Sequence, residues 1–357
     1  MRSAWAARDY GAERYRQALV IDGLSGPGEL DYNASRISAF SERAIADTKQ
    51  SGVSAVNLTI GGVGNGPRMY EQALESLAYY EGEITAHPDV LMKVRSCREI
   101  REAKAKGGLG LIFGFQDTSM LEGDLERLSL FRNLGVRIVQ LTYNRRNLMG
   151  DGCLEPANSG LSTLGREAIA EINRLKLLLD LSHAGARTIA EGIAAARAPL
   201  AITHTGCRAL VDVPRNTHDS ELKALANRGG VVGIYFMPFL RQSGQQHAAD
   251  LIRHLEHAVN VCGEDHVGLG TDGVISGATL DVAYGEHQRK FYEERRQAGI
   301  AAPGEAADVF NLIPEYNDPL RLLTLAGDLS RRGWPEGRIE KILGRNFARL
   351  FEAVWGD

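Results

Sequence analysis

The sequence predicts an α/β fold, a single (β/α)8 TIM barrel of the metal-dependent hydrolase type. Short apolar runs alternate with longer amphipathic stretches along almost all of the 357-residue chain. No hairpin motif, such as Asn-Gly between two alternating runs, joins neighbouring apolar segments. Strand–helix alternation without hairpins is typical of a parallel sheet covered by helices. No linker-like break divides the chain, which favours one barrel over two open sheets.

The predicted strands are apolar on both faces in several cases, as buried parallel strands are. They cover residues 18–22, 53–59, 90–94, 109–115, 136–142, 175–182, 200–203, 230–236 and 267–271. Amphipathic helices are predicted between them, at residues 42–49, 69–81, 121–133, 165–174, 189–197 and 219–228.

A doubly wound sheet is the alternative fold, and it usually has a glycine-rich phosphate loop after its first strand. Residues 21–28 are rich in glycine, but Pro27 and the lack of a following helical pattern do not match that loop. We therefore treat residues 1–357 as one barrel domain. A polar, loop-rich excursion around residues 276–319 is predicted to cover the barrel mouth as a lid.

Composition excludes several classes of protein. The formal net charge is −4, from 41 Lys and Arg against 45 Asp and Glu, and no basic stripe suggests nucleic acid as a partner. No segment approaches the ~20 apolar residues of a membrane span, and the N-terminal residues contain no apolar core of a secretion signal. Four scattered cysteines without a CxxC pair indicate reduced thiols. We expect a cytoplasmic protein.

Two histidines mark the most informative strand ends. His183 follows the apolar run of residues 178–182, and His204 follows residues 199–203 one unit later. A single histidine in such a place is often structural. Neighbouring barrel strands lie ~4.8 Å apart, so two imidazoles at matching ends can converge on one metal ion at ~2.1 Å each.

Three other residues near predicted strand ends bear on a metal site. Asp272 ends a glycine-rich strand, where it serves as a general base, a metal ligand or the N-cap of a following segment. Gln116 places an amide where a metal site would need a carboxylate. Cys153 lies in a loop expected to face the barrel mouth, and its thiolate would be a strong zinc ligand.

The order of several motifs along the chain resembles the membrane (renal) dipeptidase family of amidohydrolase-like metallopeptidases. Each motif is weak alone, but together they are specific, and the resemblance as a whole spans roughly residues 18–352. They are Leu-Thr-Tyr-Asn at 141–144, Leu-Asp-Leu-Ser-His at 179–183, Ile-Thr-His-Thr at 202–205, Pro-Arg-Asn at 214–216, Gly-Gly-Val-Val-Gly at 229–233, Val-Gly-Leu-Gly-Thr-Asp at 267–272 and Gly-Arg-Asn-Phe-Ala-Arg-Leu-Phe at 344–351.

The resemblance implies a hydrolase that cleaves dipeptides with zinc on a TIM barrel, and members commonly form homodimers. His183 and His204 take the positions of two histidines on one zinc ion. Arg215 would hold the substrate carboxylate, which suits its bidentate fork. Asp272 matches the acid/base aspartate, while Tyr143 and Asn144 fall in the substrate-contacting motif, Tyr143 replacing a histidine.

The other half of the family's two-metal site is altered. The family opens with Asp-Gly-His-x-Asp, but this chain reads Asp22-Gly23-Leu24-Ser25-Gly26. Neither Leu24 nor Gly26 offers a side-chain ligand. The bridging glutamate of the family is Gln116 here, and a neutral amide is a poor bridge between two dications. The sequence therefore predicts one zinc ion rather than two, held by His183 and His204 with help from Gln116, Asp272, water or Cys153.

Three functions remain open from the sequence. The first is a one-zinc hydrolase of a dipeptide or similar small carboxylated amide. The second is a non-hydrolytic descendant that binds or otherwise transforms a small carboxylated ligand. The third is a two-zinc dipeptidase with substitute ligands such as Glu29 or Asp117. Neither the substrate nor the oligomeric state is encoded in a readable motif.

Overall fold

The structure is a computed structural model that describes residues 10–29 and 39–357. Residues 1–9, on which the prediction about a secretion signal partly rests, lie outside these ranges. Among the described residues, no helix combines the length and the apolar character that a bilayer crossing requires.

Parallel strands form at all nine predicted places. Two further short strands, Ser25–Gly26 and Gly273–Val274, pair with each other outside the main sheet. The strands are β1 Ile21–Asp22, β2 Ser25–Gly26, β3 Ala55–Thr59, β4 Leu91–Lys93, β5 Leu109–Phe115, β6 Val136–Gln140, β7 Leu178–Asp180, β8 Ala201–Thr205, β9 Val231–Ile234, β10 Val267–Leu269 and β11 Gly273–Val274.

Eight of these strands close into a parallel barrel, which confirms the predicted fold. The ring runs β1, β3, β5, β6, β7, β8, β9 and β10, and it closes where β10 pairs with β1. The ninth strand, β4, pairs with the first half of β5, whereas β6 pairs with its second half. The predicted strand–helix alternation thus gives eight barrel strands and one accessory strand.

Helices follow most strands and cover the outside of the barrel. They are α1 Ala12–Gln17, α2 Glu42–Ser51, α3 Met69–Ala86, α4 Cys97–Ala105, α5 Glu126–Leu134, α6 Thr163–Arg174, α7 Ala186–Ala195, α8 Asp219–Asn227, α9 Ala248–Cys262, α10 Val282–Gln297, α11 Arg321–Arg331, α12 Glu336–Glu340 and α13 Asn346–Trp355. A π-helical turn at Lys341–Arg345 joins α12 to α13, and 3-10 turns lie at Ser119–Leu121, Pro238–Leu240 and Pro314–Tyr316.

The amino-terminal end of the barrel is closed by α13. Phe347 and Phe351 are fully buried against apolar residues near the beginnings of seven barrel strands. Gly23 and Gly268 make room for this plug, since a Cβ on either would lie 2.7 Å from the Phe347 ring. With that end filled, polar chemistry is left to the carboxyl ends of the strands.

The excursion at residues 276–319 differs in part from its prediction as a loop-rich segment. It contains the 16-residue helix α10, which begins after Asp281 caps the backbone N–H of Tyr284. Only Tyr284 and Gln288 of this helix are buried. Such sparse apolar spacing gives little periodicity to read in the sequence, which explains why the sequence does not predict this helix.

Candidate active site

The candidate active site lies at the carboxyl ends of β6, β7, β8 and β10. Tyr143 and Asn144 follow β6, His183 follows β7, His204 lies near the end of β8, and Asp272 follows β10. Because parallel strands of a barrel end on one face, these side chains, distant in sequence, face one mouth. This is the arrangement predicted from the strand-end residues.

The two predicted metal-binding histidines are in direct contact. The Nε2 atoms of His183 and His204 lie 2.8 Å apart, and both rings are buried. Their ring centroids are 4.9 Å apart at an angle of 61°. The Nε2 atoms of the two imidazoles therefore face the same point between the rings.

Neighbouring groups fix the protonation of each ring. Asn144 donates its amide N–H to the Ile300 carbonyl, so its Oδ1 accepts from His183 Nδ1 at 2.6 Å. The Thr203 hydroxyl donates to Asp180, so its oxygen accepts from His204 Nδ1 at 3.0 Å. Both imidazoles then carry a proton on Nδ1 and a lone pair on Nε2.

Two lone pairs facing each other repel unless a cation lies between them. Burial, and after it the Arg215 charge, hold the pKa values of His183 and His204 well below the usual range. A shared proton is therefore disfavoured at neutral pH. Zinc is commonly bound by neutral imidazole nitrogens, each on a ring whose other nitrogen is held by a hydrogen bond. The pair thus fits one metal ion.

Backbone strain accompanies two of the candidate residues. His183 has φ +63° and Asp272 has φ +57°, in the left-handed region that non-glycine residues rarely occupy. Both residues follow a barrel strand within a few positions of its end. Such positions persist only where the surrounding structure holds them, and they cluster at functional sites.

Two strand glycines let the backbone of β8 approach its neighbours. A Cβ on Gly233 or Gly270 would lie 1.9 or 2.0 Å from the Thr203 carbonyl oxygen. The register between β8 and β9 also shifts between Ile202 and Thr205, the irregularity that often redirects a side chain beside an active site. The glycine-rich motifs at 229–233 and 267–272 therefore support the position of His204.

Asp272 is a partly exposed carboxyl with an altered pKa. Desolvation raises its pKa to about 7, although the Arg215 and Arg295 charges oppose that rise. Such a value suits a group that takes and returns a proton at neutral pH. No helix begins here, because residues 273–274 form β11, so the N-cap alternative is wrong.

Arg215 lies under the mouth with an unsatisfied donor. Its guanidinium carbon is 5.5 Å from the centroid of the Tyr235 ring and 5.8 Å from that of Phe239. Its Nη2 is buried and finds no hydrogen-bond partner among the described residues. A buried guanidinium with a free N–H is a strong site for an anionic oxygen.

The sequence did not identify a second arginine at this site. Arg295, on α10, donates to both carboxylate oxygens of Glu305 at 2.6 and 2.9 Å, and to the Tyr143 hydroxyl at 3.1 Å. Tyr143 in turn stacks on His183 with ring centroids 4.1 Å apart. The excursion thus reaches His183 through Tyr143.

The positions of the second metal site are occupied by other contacts. Leu24 is buried and apolar. Asp22 accepts from the backbone and hydroxyl of Thr271 and lies 3.8 Å from Arg321, so it fixes the end of β10. The amide nitrogen of Gln116 donates to Thr59 at 2.7 Å.

The proposed substitute ligands, Glu29 and Asp117, are also engaged elsewhere. Glu29 pairs with Arg43 and accepts from Ser41 at the surface. Asp117 accepts from the Gly64 backbone N–H and from the side chains of Ser119 and Asn147. Within residues 10–29 and 39–357, no group of three or more His, Cys, Asp or Glu side chains is arranged for a metal ion. Glu29 and Asp117 are thus each held by contacts of their own.

Cys153 lies close to the histidines, but as a thiol. Its Sγ donates to Asn144 Oδ1 at 3.3 Å, and its backbone N–H donates to the His183 carbonyl at 2.7 Å. Burial raises the pKa of the thiol to about 11, which disfavours the thiolate that zinc binds. All four cysteines are free.

Comparison with known proteins agrees with this geometry. The model of the membrane dipeptidase family, peptidase family M19, matches residues 31–281, which is most of the chain. The chain belongs to the membrane dipeptidase family. It is by family a hydrolase of the metallo-dipeptidase type.

Solved structures of other proteins share this chain's architecture. A crystal structure of an amidohydrolase from Pseudomonas aeruginosa is 30% identical, with a TM-score of 0.82, and the match covers 97% of this chain and 99% of that one. A metallopeptidase of Rhodobacter sphaeroides, solved with a phosphinate mimic of the dipeptide L-Ala-D-Ala, is 21% identical with a TM-score of 0.75 over 95% and 99% of the two chains; at that identity it shows the shared fold.

Curated sequences match this chain over a smaller share of its length. An uncharacterized Klebsiella pneumoniae protein encoded in the pqqA 5′ region is 28% identical over 271 residues, 73% of this chain and 88% of that protein. An uncharacterized dipeptidase of Schizosaccharomyces pombe is 32% identical over 173 residues, 46% of this chain and 42% of its own length. This chain thus matches less than half of the yeast protein.

Proposed function

We propose that this chain hydrolyses the amide bond of a dipeptide or a similar small carboxylated substrate with a single zinc ion. The observation that carries the proposal is the His183–His204 pair. The two Nε2 atoms lie 2.8 Å apart with their lone pairs facing each other, and both Nδ1 atoms donate to fixed acceptors. Neutral imidazoles held in this way are prepared for a cation and for little else.

The residues of the site divide the reaction between them. When bound by His183 and His204, zinc would polarise the substrate carbonyl and acidify the attacking water. Asp272 takes the proton from that water and returns it to the leaving amine, a transfer that its pKa of about 7 suits. Asn144 and Thr203 keep the imidazoles in the tautomer that leaves Nε2 free.

A carboxylate on the substrate follows from Arg215. Its free Nη2 and buried position supply a charge-assisted hydrogen bond to a terminal carboxylate. The same charge lowers the pKa of Asp272 against the effect of burial, so substrate binding and proton transfer are coupled. A substrate carboxylate that neutralises Arg215 raises the pKa of Asp272 further, and this favours the protonated acid at the moment the amine leaves.

A non-hydrolytic descendant is the second candidate function. It is favoured by the apolar Leu24 and the neutral Gln116 at the positions of the other metal, and by two arginines, Arg215 and Arg295, near the mouth. Those cations suit binding of a carboxylated ligand without any hydrolysis. Metal-free protein that binds such a ligand and leaves it unchanged would favour this candidate.

The experiment that separates the two functions is hydrolysis of a panel of dipeptides by metal-free and zinc-supplemented protein. We expect turnover that is lost with a chelator, restored by zinc and abolished in His204→Ala. Substitution of His257, which pairs with Asp219 away from the site, serves as the matched control. Chelator-resistant turnover, or unchanged turnover in His204→Ala, would refute the proposal.

The cytoplasm is the compartment that we propose, because all four cysteines remain free thiols. A homodimer, as family members commonly form, is the proposed assembly. Light scattering of the purified chain checks it directly, with a monomer as the contrary result.

A further inference from the structure

A turn that follows α10 packs against the loop after β6. This docking turn covers residues 298–305 and begins where the helix ends. Gly299 has φ +69°, and the backbone N–H groups of Ile300 and Ala301 both donate to the Arg295 carbonyl, at 3.0 and 3.2 Å. A left-handed residue with such backward hydrogen bonds is a common end of a helix, and it fixes the course of the chain that follows.

Two consecutive residues of the β6 loop hold the docking turn by its backbone. Arg145 Nε donates to the Gly299 carbonyl at 2.6 Å, and Asn144 Nδ2 donates to the Ile300 carbonyl at 2.7 Å. Arg295 Nη2 adds a longer bond to the Ile300 carbonyl, at 3.3 Å. A cation beside the carboxyl end of a helix is also favoured by the helix dipole. The position of the docking turn therefore depends on Arg145 and Asn144.

Asn144 connects the docking turn to the histidine pair. It is buried, and its amide is engaged at both ends. Nδ2 donates to Ile300, while Oδ1 accepts from His183 Nδ1 at 2.6 Å and from Cys153 Sγ at 3.3 Å. The nitrogen of an amide only donates and its oxygen only accepts. The orientation that docks the turn is therefore the one that keeps the His183 proton on Nδ1 and the Nε2 lone pair free.

This arrangement is unfavourable when no cation lies between the histidines. The Nε2 lone pairs of His183 and His204 then face each other across 2.8 Å. Moving the His183 proton from Nδ1 to Nε2 replaces that repulsion by a hydrogen bond to His204, and the ring keeps one proton and no charge.

The other tautomer reverses what His183 requires from Asn144. Its Nδ1 then carries a lone pair and needs an N–H donor. Asn144 supplies one only by rotating its amide through half a turn, which places Oδ1 against the Ile300 carbonyl oxygen. Two acceptors in contact repel, so the docking turn loses the hydrogen bond that Asn144 gives it.

We propose that the docking turn is a metal-sensing clamp, with Arg145 and Asn144 as its positioning residues. It is docked when zinc occupies the His183–His204 pair and released when zinc leaves. The inference rests on the zinc site of the proposed function. Because coupling between two sites is reciprocal, docking of the turn strengthens zinc binding by the same factor by which zinc favours docking.

Hydrogen–deuterium exchange of the full chain, with zinc and with a chelator, tests the clamp in the wild-type protein. We expect the amides of residues 298–305 to exchange about tenfold more slowly with zinc, a factor within the usual range for coupled sites. Residues 241–244, exposed on another loop, are the internal control, and their exchange is expected to be the same in both samples.

Arg145→Ala weakens docking without changing the metal ligands. Arg145 is an exposed residue of the loop, so its loss leaves the buried histidines in place. We expect faster exchange of the docking turn and a zinc affinity lowered by about fivefold, the effect of one net hydrogen bond. Arg98→Ala, whose arginine forms an exposed pair with Glu102, is the control and retains both properties.

Asn144→Asp interrupts the connection at one atom. The carboxylate still accepts from His183 Nδ1, a partner that suits a zinc-bound histidine, but it has no N–H for the Ile300 carbonyl. We expect this variant to bind zinc by elemental analysis, while zinc no longer slows the exchange of residues 298–305.

Three results would overturn the clamp. They are wild-type exchange of the docking turn that zinc leaves unchanged, full zinc-dependent protection in Asn144→Asp, and equal zinc affinities in Arg145→Ala and Arg98→Ala. Dipeptide hydrolysis measured on the same samples separates the two proposals. Zinc-dependent turnover without zinc-dependent protection rejects the clamp alone, whereas protection without turnover rejects the hydrolase alone.

Discussion

The ring of Tyr143 lies parallel to the imidazole of His183, with centroids 4.1 Å apart and an angle of 25° between the planes. Tyr143 also accepts a hydrogen bond from Arg295 on α10. Tyr143 therefore links His183 to α10. This link has consequences that can be measured.

Loss of the Arg295 side chain should loosen the excursion. In Arg295→Gln, Glu305 keeps a buried carboxylate without its bidentate partner, and removal of one partner from such a pair is strongly destabilising. We expect faster hydrogen–deuterium exchange in residues 298–310 and a lower kcat/KM. Arg296→Gln, one position along the same helix in an exposed pair with Glu293, is the control. Equal exchange in the two variants would refute the link.

Thr203 should control metal affinity without binding the metal itself. Thr203→Val preserves shape but removes the hydroxyl that accepts from His204 Nδ1 and donates to Asp180. We expect zinc affinity to fall by about 10- to 100-fold, as is usual when a partner of a ligand histidine is lost. Competition with a chromogenic chelator measures this. An affinity equal to that of Thr85→Val, an exposed helical control, would contradict the assigned tautomer.

Arg215 should discriminate between a free carboxylate and its amide. We expect wild-type protein to cleave a dipeptide about 100-fold more efficiently than the same dipeptide with an amidated C-terminus, and Arg215→Lys to lose most of that ratio. The measurement is kcat/KM for both substrates in each variant. Arg208→Lys, whose arginine pairs with Asp212 at the surface of the same region, provides the comparison. If Arg215→Lys kept the full ratio, a residue other than Arg215 would recognise the carboxylate.

Asp272 should reduce stability above neutral pH in the metal-free protein. Its folded pKa of about 7 exceeds the ordinary value of 3.8, so the folded state binds more protons than the unfolded state between those values. Stability therefore falls as pH rises through that window, and the penalty is complete above pH 7. We expect Asp272→Asn to abolish hydrolysis and to raise Tm by a few degrees more at pH 8 than at pH 4.

Asp308→Asn, at an exposed position, is the control for that comparison. A Tm difference between Asp272→Asn and wild type that does not change with pH would show that Asp272 has an ordinary pKa.

The fold was predictable because its pattern is local and repeated. Each barrel strand is a short apolar run, so the positions of β5 or β8 follow from the sequence alone. The helix α10 was not predictable in this way, because it buries only two residues and the excursion is polar.

The sequence predicts some residues of the candidate site but not all of them. His183, His204 and Asp272 were visible because each comes at the end of an apolar run. Arg295 lies 91 residues after His204 on a helix without apolar periodicity, so its contact with Tyr143 depends on tertiary packing.

The zinc content of the purified chain tests the one-metal site most directly. Elemental analysis should find about one zinc ion per wild-type chain and almost none in His183→Ala or His204→Ala, with His257→Ala unchanged. Two tightly held ions per chain, or hydrolysis that persists with none, would contradict a catalytic site built on this single pair of histidines.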